Sequence, residues 1–175
     1  NGKKWWDPAK ENGPYGTGYW DEKGKRVTKN LRGDNSRIIM DRAIPFMRSA
    51  AQKDQPFFTI IWFHTPHLPV VAGPEYTRMY ADQEKYAQHY YGCITAMDEQ
   101  VGRLRMELRA LGVANNTLVT FCSDNGPEGQ ANNAPGTAGH LSGRKRSLLE
   151  GGIRVPGLIE WPGQMRPGNT AIPAV

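Results

Sequence analysis

Two stretches of the chain carry hydrophobic residues at the spacing of three and four that is typical of a helix packed on one face. The first covers residues 34 to about 52, and Pro45 in its middle predicts a kink or a new first turn. The second covers about residues 82–111, and Gly112 is placed to end it. The first predicted stripe consists of Ile39, Ala43, Phe46, Met47 and Ala50.

Shorter apolar runs alternate with these helices. Residues 56–63 are continuously apolar but for one threonine, which predicts a central strand buried on both faces. Residues 117–122 predict a second strand, and 153–156 and 158–161 predict two short ones. Because helices and strands alternate, we expect an α/β fold whose largely parallel or mixed sheet is flanked by helices.

Composition divides the chain at about residue 33. Residues 1–33 are rich in Gly, Pro, Trp and Lys and predict an irregular arm or hairpin, whereas 34–175 carry the predicted domain. No apolar run approaches the length of a membrane span. Two cysteines, Cys93 and Cys122, do not make a disulfide framework, and both are expected to be buried thiols.

The net charge of +5 and the pI of about 9.3 leave two interpretations open. The charge is either a solvated surface or a means of attracting anions such as nucleic acid or sulfated polymers. No nucleic-acid-binding motif accompanies the basic residues, so no nucleic-acid partner is expected.

Asp124 and Asn125 follow the predicted strand 117–122 directly. Ligands gather at the carboxyl ends of strands in open α/β sheets, and carboxylate and amide oxygens suit Ca²⁺ or Mg²⁺. The alternative is a plain turn, because Asp-Asn-Gly is favourable turn sequence.

Further on, Lys145 lies in the run 144–146, which can equally be a solvated basic loop. Two histidines, His64 and His67, follow the predicted strand 56–63.

These segments resemble a known family when they are taken in order. SDNG at 123–126, then G-x-K-x-x-x-x-E-G-G-I-R-V-P at 143–156, resembles the type I sulfatases of the alkaline-phosphatase-like superfamily. PFFTIIWFHTPHLP at 56–69 resembles the sulfatase strand that ends in a catalytic histidine, and the resemblance covers roughly residues 34–168.

The resemblance implies a role for four residues. Asp124 and Asn125 would contribute to one Ca²⁺ site, with Mg²⁺ the less favoured ion, and the other ligands would be a pair of aspartates. Lys145 would contact the sulfate ester and its leaving oxygen. The P-H-x-P pattern selects His67 as the histidine that helps protonate the departing alcohol, which leaves His64 structural. His140 lies in the loop 126–143, where substrate specificity is expected, and could line the cleft.

Family members also carry C-x-P-S-R or S-x-P-S-R, whose first residue becomes formylglycine, and neither this motif nor the paired aspartates occurs here. We therefore expect an internal piece of a longer sulfatase, the later half of its catalytic domain, that is inactive alone. A degenerate homologue without catalysis is the alternative.

The expected activity of the intact protein is hydrolysis of a sulfated compound, most simply a sulfated carbohydrate, in a periplasmic or secreted setting. The rival interpretations are a phosphonate or phosphate ester hydrolase on the same scaffold, and a non-catalytic module that binds sulfated glycans.

Overall fold

The computed structural model describes residues 18–67, 70–128, 136–166 and 168. Most of the predicted arm at 1–33 lies outside the described residues, so its boundary stays a prediction. The part that is described, around Gly24, forms the predicted hairpin: Trp20 and Arg26 make an antiparallel bridge, and Gly24 adopts φ +72° in the turn. The chain divides into two compact units, Asn1–Leu104 and Arg105–Val175.

Helix α1 spans Asn35–Gln52 and confirms the first predicted helix. Asp34 caps it by accepting a hydrogen bond from the backbone N–H of Ser36 at 2.8 Å. Pro45 lies inside it, and the helix continues through Pro45 without the predicted new first turn. The buried stripe is rotated from the predicted one, and Phe46 is exposed, because the helix presents a neighbouring face to the core. Its buried hydrophobic residues are Ile38, Met40, Ile44, Met47 and Ala50.

The short helix α2, Pro74–Thr77, continues into a 3₁₀ turn, Arg78–Tyr80. Helix α3, Lys85–Ala110, then confirms the second predicted helix. A Schellman motif ends α3: Gly112 adopts φ +72°, its N–H bonds to the carbonyl of Arg109 at 3.0 Å, and Val113 bonds to Leu108 at 3.1 Å.

In the first unit, a small core forms between the segment before α2 and one face of α3. Val70, Ala72 and Cys93 are buried, and three half-buried residues pack against them: Tyr76, Tyr90 and Ile94. Burial raises the pKa of the Cys93 thiol to about 12, so this cysteine is the inert buried thiol that the sequence predicts.

Asp41 of α1 is the shared hydrogen-bond acceptor of three side chains in the same unit. Its carboxylate accepts hydrogen bonds from Arg37 at 2.6 Å, Arg103 at 2.5 Å and Asn30 at 2.8 Å. Burial acts to raise the pKa of Asp41, but hydrogen bonds from Arg103 and Asn30 and the two guanidinium charges outweigh it and lower that pKa below its usual value.

In the second unit, strand β1, Val119–Cys122, pairs with strand β2, Gly157–Glu160. The pair is antiparallel, and Val119 lies opposite Glu160. The predicted strand 117–122 is thus confirmed. The prediction of a strand at 153–156 is wrong, because the short helix α4 occupies Glu150–Ile153 and the second strand begins only at 157. Cys122 is exposed and not buried as predicted, because the end of β1 places it on the outward face.

The predicted central strand at 56–63 forms no ladder among the described residues. Its side chains alternate between half-buried and exposed, and Phe58 and Trp62 are 83% and 82% exposed. The expectation of burial on both faces is therefore wrong for this chain. The physical reason is that the faces of a strand are buried by elements packed on them, and no described element covers the face that carries Phe58 and Trp62.

Candidate functional site

The turn that follows β1 carries the two predicted metal ligands. Asp124 is exposed and Asn125 is half-buried. The side-chain N–H of Asn125 donates to the carbonyl of Gly126 at 2.9 Å, and the Ser123 hydroxyl donates to the carbonyl of Asn125 at 2.9 Å. An amide binds a cation through its oxygen, so this N–H bond leaves Asn125 able to act as a ligand.

Glycines allow three backbone segments to touch at this turn. The N–H of Gly126 donates to Gly152 at 2.9 Å, and the N–H of Gly151 donates to Ser142 at 2.7 Å. A Cβ added to Gly126 would overlap the carbonyl oxygen of Gly151, and one added to Gly151 would overlap that of Gly143. The close approach of these backbones leaves no room for a side chain at Gly126 or Gly151.

Lys145 is attached to the same turn at two points. Its backbone N–H donates to the carbonyl of Pro127 at 3.1 Å, and its Nζ pairs with Oε2 of Glu128 at 3.3 Å. The Lys145 side chain is only 22% exposed, so it is not the freely solvated lysine of a basic loop. Arg146 pairs with Oε1 of Glu128 at 3.5 Å, but its side chain is 80% exposed.

Arg144 holds the loop from the other side. Its Nη2 donates to the carbonyls of Glu128 at 3.0 Å and Gly136 at 2.6 Å. Its buried Nε has no hydrogen-bond partner among the described residues. The two bonds from Arg144 therefore tie this loop to the segments at Glu128 and Gly136.

Glu128 is the residue that sequence reasoning missed. It is touched by all three members of the run Arg144, Lys145 and Arg146. The signal was present as a single acid four residues after Asp124, ahead of three consecutive cations. Nothing in that spacing reveals that the two segments meet, because the contact spans sixteen residues or more.

His67 belongs to the first unit, in the turn that follows 56–63, and its side chain is exposed. Its backbone N–H donates to the carbonyl of His64 at 2.7 Å, so the two candidate histidines lie in one turn. Leu68 and Pro69, the last residues of the P-H-x-P pattern, lie outside the described residues. His140 is exposed in the second unit. The roles assigned to these histidines stay predictions.

The described residues offer only part of a cation site. Among them, no group of three or more His, Cys, Asp or Glu side chains could hold a metal ion. Asp124 and Asn125 supply one carboxylate and one amide oxygen, which fit Ca²⁺ in donor type. They do not fit it in number, because Ca²⁺ takes six to eight oxygen ligands.

Comparison with known proteins supports a single family. The family model described as Sulfatase matches residues 3–174. Human arylsulfatase A is 34% identical over 125 residues, which are 71% of this chain and 24% of that protein. Rat steryl-sulfatase is 38% identical over 124 residues, 67% of this chain and 20% of that protein. The chain thus spans about a quarter of the length of these relatives.

A crystal structure of Ps i-CgsB in complex with k-i-k-neocarrahexaose has the same fold. It matches with a TM-score of 0.77 and 31% identity, over 86% of this chain and 32% of that one. This likeness confirms the predicted α/β, alkaline-phosphatase-like fold class. In the described part of the chain, no helix is both long enough and apolar enough to span a membrane.

Proposed function

The chain belongs to the sulfatase family, and on that premise we propose that the protein containing it hydrolyses a sulfate ester of a carbohydrate. The observation that carries this proposal is the contact between the Lys145 segment and the turn after β1, both in the second unit. There the backbone N–H of Lys145 donates to the carbonyl of Pro127, three residues beyond Asp124, so the candidate anion-binding lysine is bonded to the segment that carries the candidate metal ligands.

Asp124 and Asn125 would hold part of a Ca²⁺ site, with the remaining ligands drawn from the paired aspartates that sulfatases carry. When bound, the ion neutralises sulfate oxygens and so stabilises charge that develops in the transition state. Asp124 would supply the charged ligand and Asn125 a neutral oxygen, while the side-chain N–H of Asn125 donates to the carbonyl of Gly126 and so holds the amide group.

Lys145 and His67 would act on the leaving group. As the S–O bond breaks, negative charge gathers on the departing alcohol oxygen. A nearby ammonium stabilises that charge. A histidine that donates a proton to the same oxygen lets it leave as a neutral alcohol. Attack on sulfur is assigned to a formylglycine, which would be formed from a Cys or Ser in a motif that this chain does not contain.

The proposal of a carbohydrate substrate rests on a likeness. Ps i-CgsB, which was crystallised with k-i-k-neocarrahexaose, matches 86% of this chain. Rat steryl-sulfatase matches less of the chain, at 67%. The loop 126–143, part of which lies outside the described residues, is where we expect the sugar to be distinguished from other alcohols.

The decisive experiment is an assay of the full-length protein for release of sulfate from sulfated oligosaccharides, combined with mass spectrometry of the C/S-x-P-S-R segment. We expect formylglycine, sulfate release, and loss of activity with a calcium chelator that added Ca²⁺ restores. Release of phosphate alone from matched phosphate esters would instead favour the phosphoesterase alternative.

A non-catalytic glycan-binding module is the second candidate, favoured by the net charge of +5. It predicts binding of sulfated glycans without turnover, and an affinity that falls steeply as salt screens the basic surface. A full-length protein without formylglycine and with such salt-sensitive binding would replace the hydrolase proposal with this one.

A further inference from the structure

The three consecutive cations Arg144, Lys145 and Arg146 converge on one acid. Arg144 donates to the backbone carbonyl of Glu128 at 3.0 Å, while Lys145 and Arg146 take separate oxygens of its carboxylate at 3.3 and 3.5 Å. Three adjacent like charges repel one another, so a carboxylate between them both compensates the charge and selects one arrangement of the side chains.

We propose that Glu128 is a positioning residue: its carboxylate holds the ammonium of Lys145 at the turn that carries Asp124 and Asn125. This proposal rests on the proposed function, which makes Lys145 the lysine at the ester. Lysine is a compact charge on a flexible four-carbon stem. A backbone bond to Pro127 places its Cα, but only a side-chain partner can place its Nζ.

The backbone around Lys145 shows that this placement is maintained against strain. Arg146 has φ +76°, the left-handed region that non-glycine residues rarely adopt. The strained residue lies directly after Lys145, and its side chain reaches the same Glu128 carboxylate. Such strain persists where surrounding contacts over-determine the conformation. Here those contacts are the pair with Glu128 and the two carbonyl bonds of Arg144.

Reagent labelling tests the pairing without reference to activity. Acetylation of Lys145 by a water-soluble amine-reactive ester, followed by mass spectrometry, measures how readily its ammonium loses a proton and how accessible the resulting amine is to the reagent. We expect Glu128→Gln to speed labelling of Lys145 several-fold in the full-length protein. Glu160→Gln is the matched control, since Glu160 pairs with Arg105 and Arg109 instead. Equal labelling of Lys145 in all three proteins would overturn the proposal.

Kinetics then test whether the pairing serves the reaction. In the full-length enzyme, Glu128→Gln should lower kcat on an alkyl sulfate by about 10-fold, within the range that supporting partners of site residues show. The loss should be smaller on nitrophenyl sulfate, whose leaving oxygen needs less stabilisation. Glu160→Gln should leave kcat unchanged.

A double-mutant cycle separates positioning from a general structural role. If Glu128 acts through Lys145, Glu128→Gln should cost nothing further in a Lys145→Ala background. Equal losses in both backgrounds would overturn the proposal. Glu128→Asp, which keeps the charge, should retain more activity than Glu128→Gln and serves if the latter fails to fold. Inactive wild-type protein would sink the proposed sulfatase function, whereas labelling would still decide the Glu128–Lys145 pairing.

Discussion

The chain contains two apolar runs that each end in a predicted site residue, and they differ in what surrounds them. The run 117–122 contains β1, which pairs with β2 and leads into the glycine-packed turn of Asp124. Residues 56–63 lead to His67 with Phe58 and Trp62 exposed and without a described strand beside them. The same hydrophobic pattern thus yields a strand only where a partner strand supplies hydrogen bonds to its backbone.

The two runs also differ in the contacts that the backbone makes at their ends. Asp124 follows directly on a ladder, and the adjoining glycines leave no room for a side chain between backbones. The described contact of the His67 backbone is a turn bond to His64. The backbone before Asp124 therefore belongs to a strand ladder, whereas the His67 backbone bonds within its own turn.

The largest expected effect concerns the turn that follows β1. In the full-length protein, Asp124→Ala should abolish sulfate release, because it removes a charged ligand of the proposed Ca²⁺ site. Asn125→Ala should be milder, since it removes a neutral oxygen. Steady-state kinetics across a calcium titration measure both, and equal losses from the two substitutions would contradict the assigned ligand roles.

Next comes a comparison across the two runs. His67→Ala and Lys145→Ala should each lower kcat on the order of 10²-fold or more, the usual scale for groups that protonate or stabilise a leaving oxygen. His64→Ala should cost much less. The measurement is kcat on an alkyl sulfate, with nitrophenyl sulfate as the substrate on which both losses shrink. A larger loss from His64→Ala would reassign the active histidine.

The glycine packing can be tested by thermal and chemical unfolding. Gly151→Ala should destabilise by about 2 kcal/mol or more, because its Cβ would overlap the carbonyl of Gly143. Gly157→Ala is the control in the same unit, since a Cβ there meets nothing within 4 Å. It should be neutral or slightly stabilising, as alanine restricts the unfolded chain. Similar losses at both positions would show that the close approach is not what requires glycine.

Matched substitutions in the two runs test the contrast directly. Phe121→Ser should destabilise this chain by about 1–2 kcal/mol, because Phe121 is half-buried and lies opposite Leu158 in the β1–β2 pair. Trp62→Ser should change stability by no more than about 0.5 kcal/mol, because its side chain is 82% exposed. Urea unfolding of the three proteins measures the difference, and a larger cost at Trp62 would mean that this run is covered.

The smallest effect concerns Asp41, whose folded-state pKa is lowered. A carboxyl with a lowered folded pKa adds stability above its unfolded pKa of about 4, and that stability is lost as pH falls through the folded value. Asp41→Asn should therefore destabilise by roughly 1 kcal/mol at pH 7 and progressively less below pH 4. Melting curves from pH 7 to pH 3 measure the difference, and a constant gap would exclude titration of Asp41 as its source.

The sequence by itself determined the two long helices, the strand that leads to Asp124, and the family. Helical spacing and the stop at Gly112 located α1 and α3, because these signals act within one or two turns of the chain. Motif order placed the candidate chemistry at Asp124, Asn125 and Lys145, and the family match over residues 3–174 confirmed the sulfatase assignment.

Only the tertiary structure decided which segments meet. The antiparallel pairing of β1 with β2, the exposure of Trp62, and the convergence of three cations on Glu128 all depend on contacts between distant residues. No pattern of neighbouring residues encodes such contacts, because the free energy that selects them comes from packing and charge compensation across the folded chain. The sequence shows Glu128 only as an acid near Asp124. Its contact with Lys145 is seen only in the folded structure.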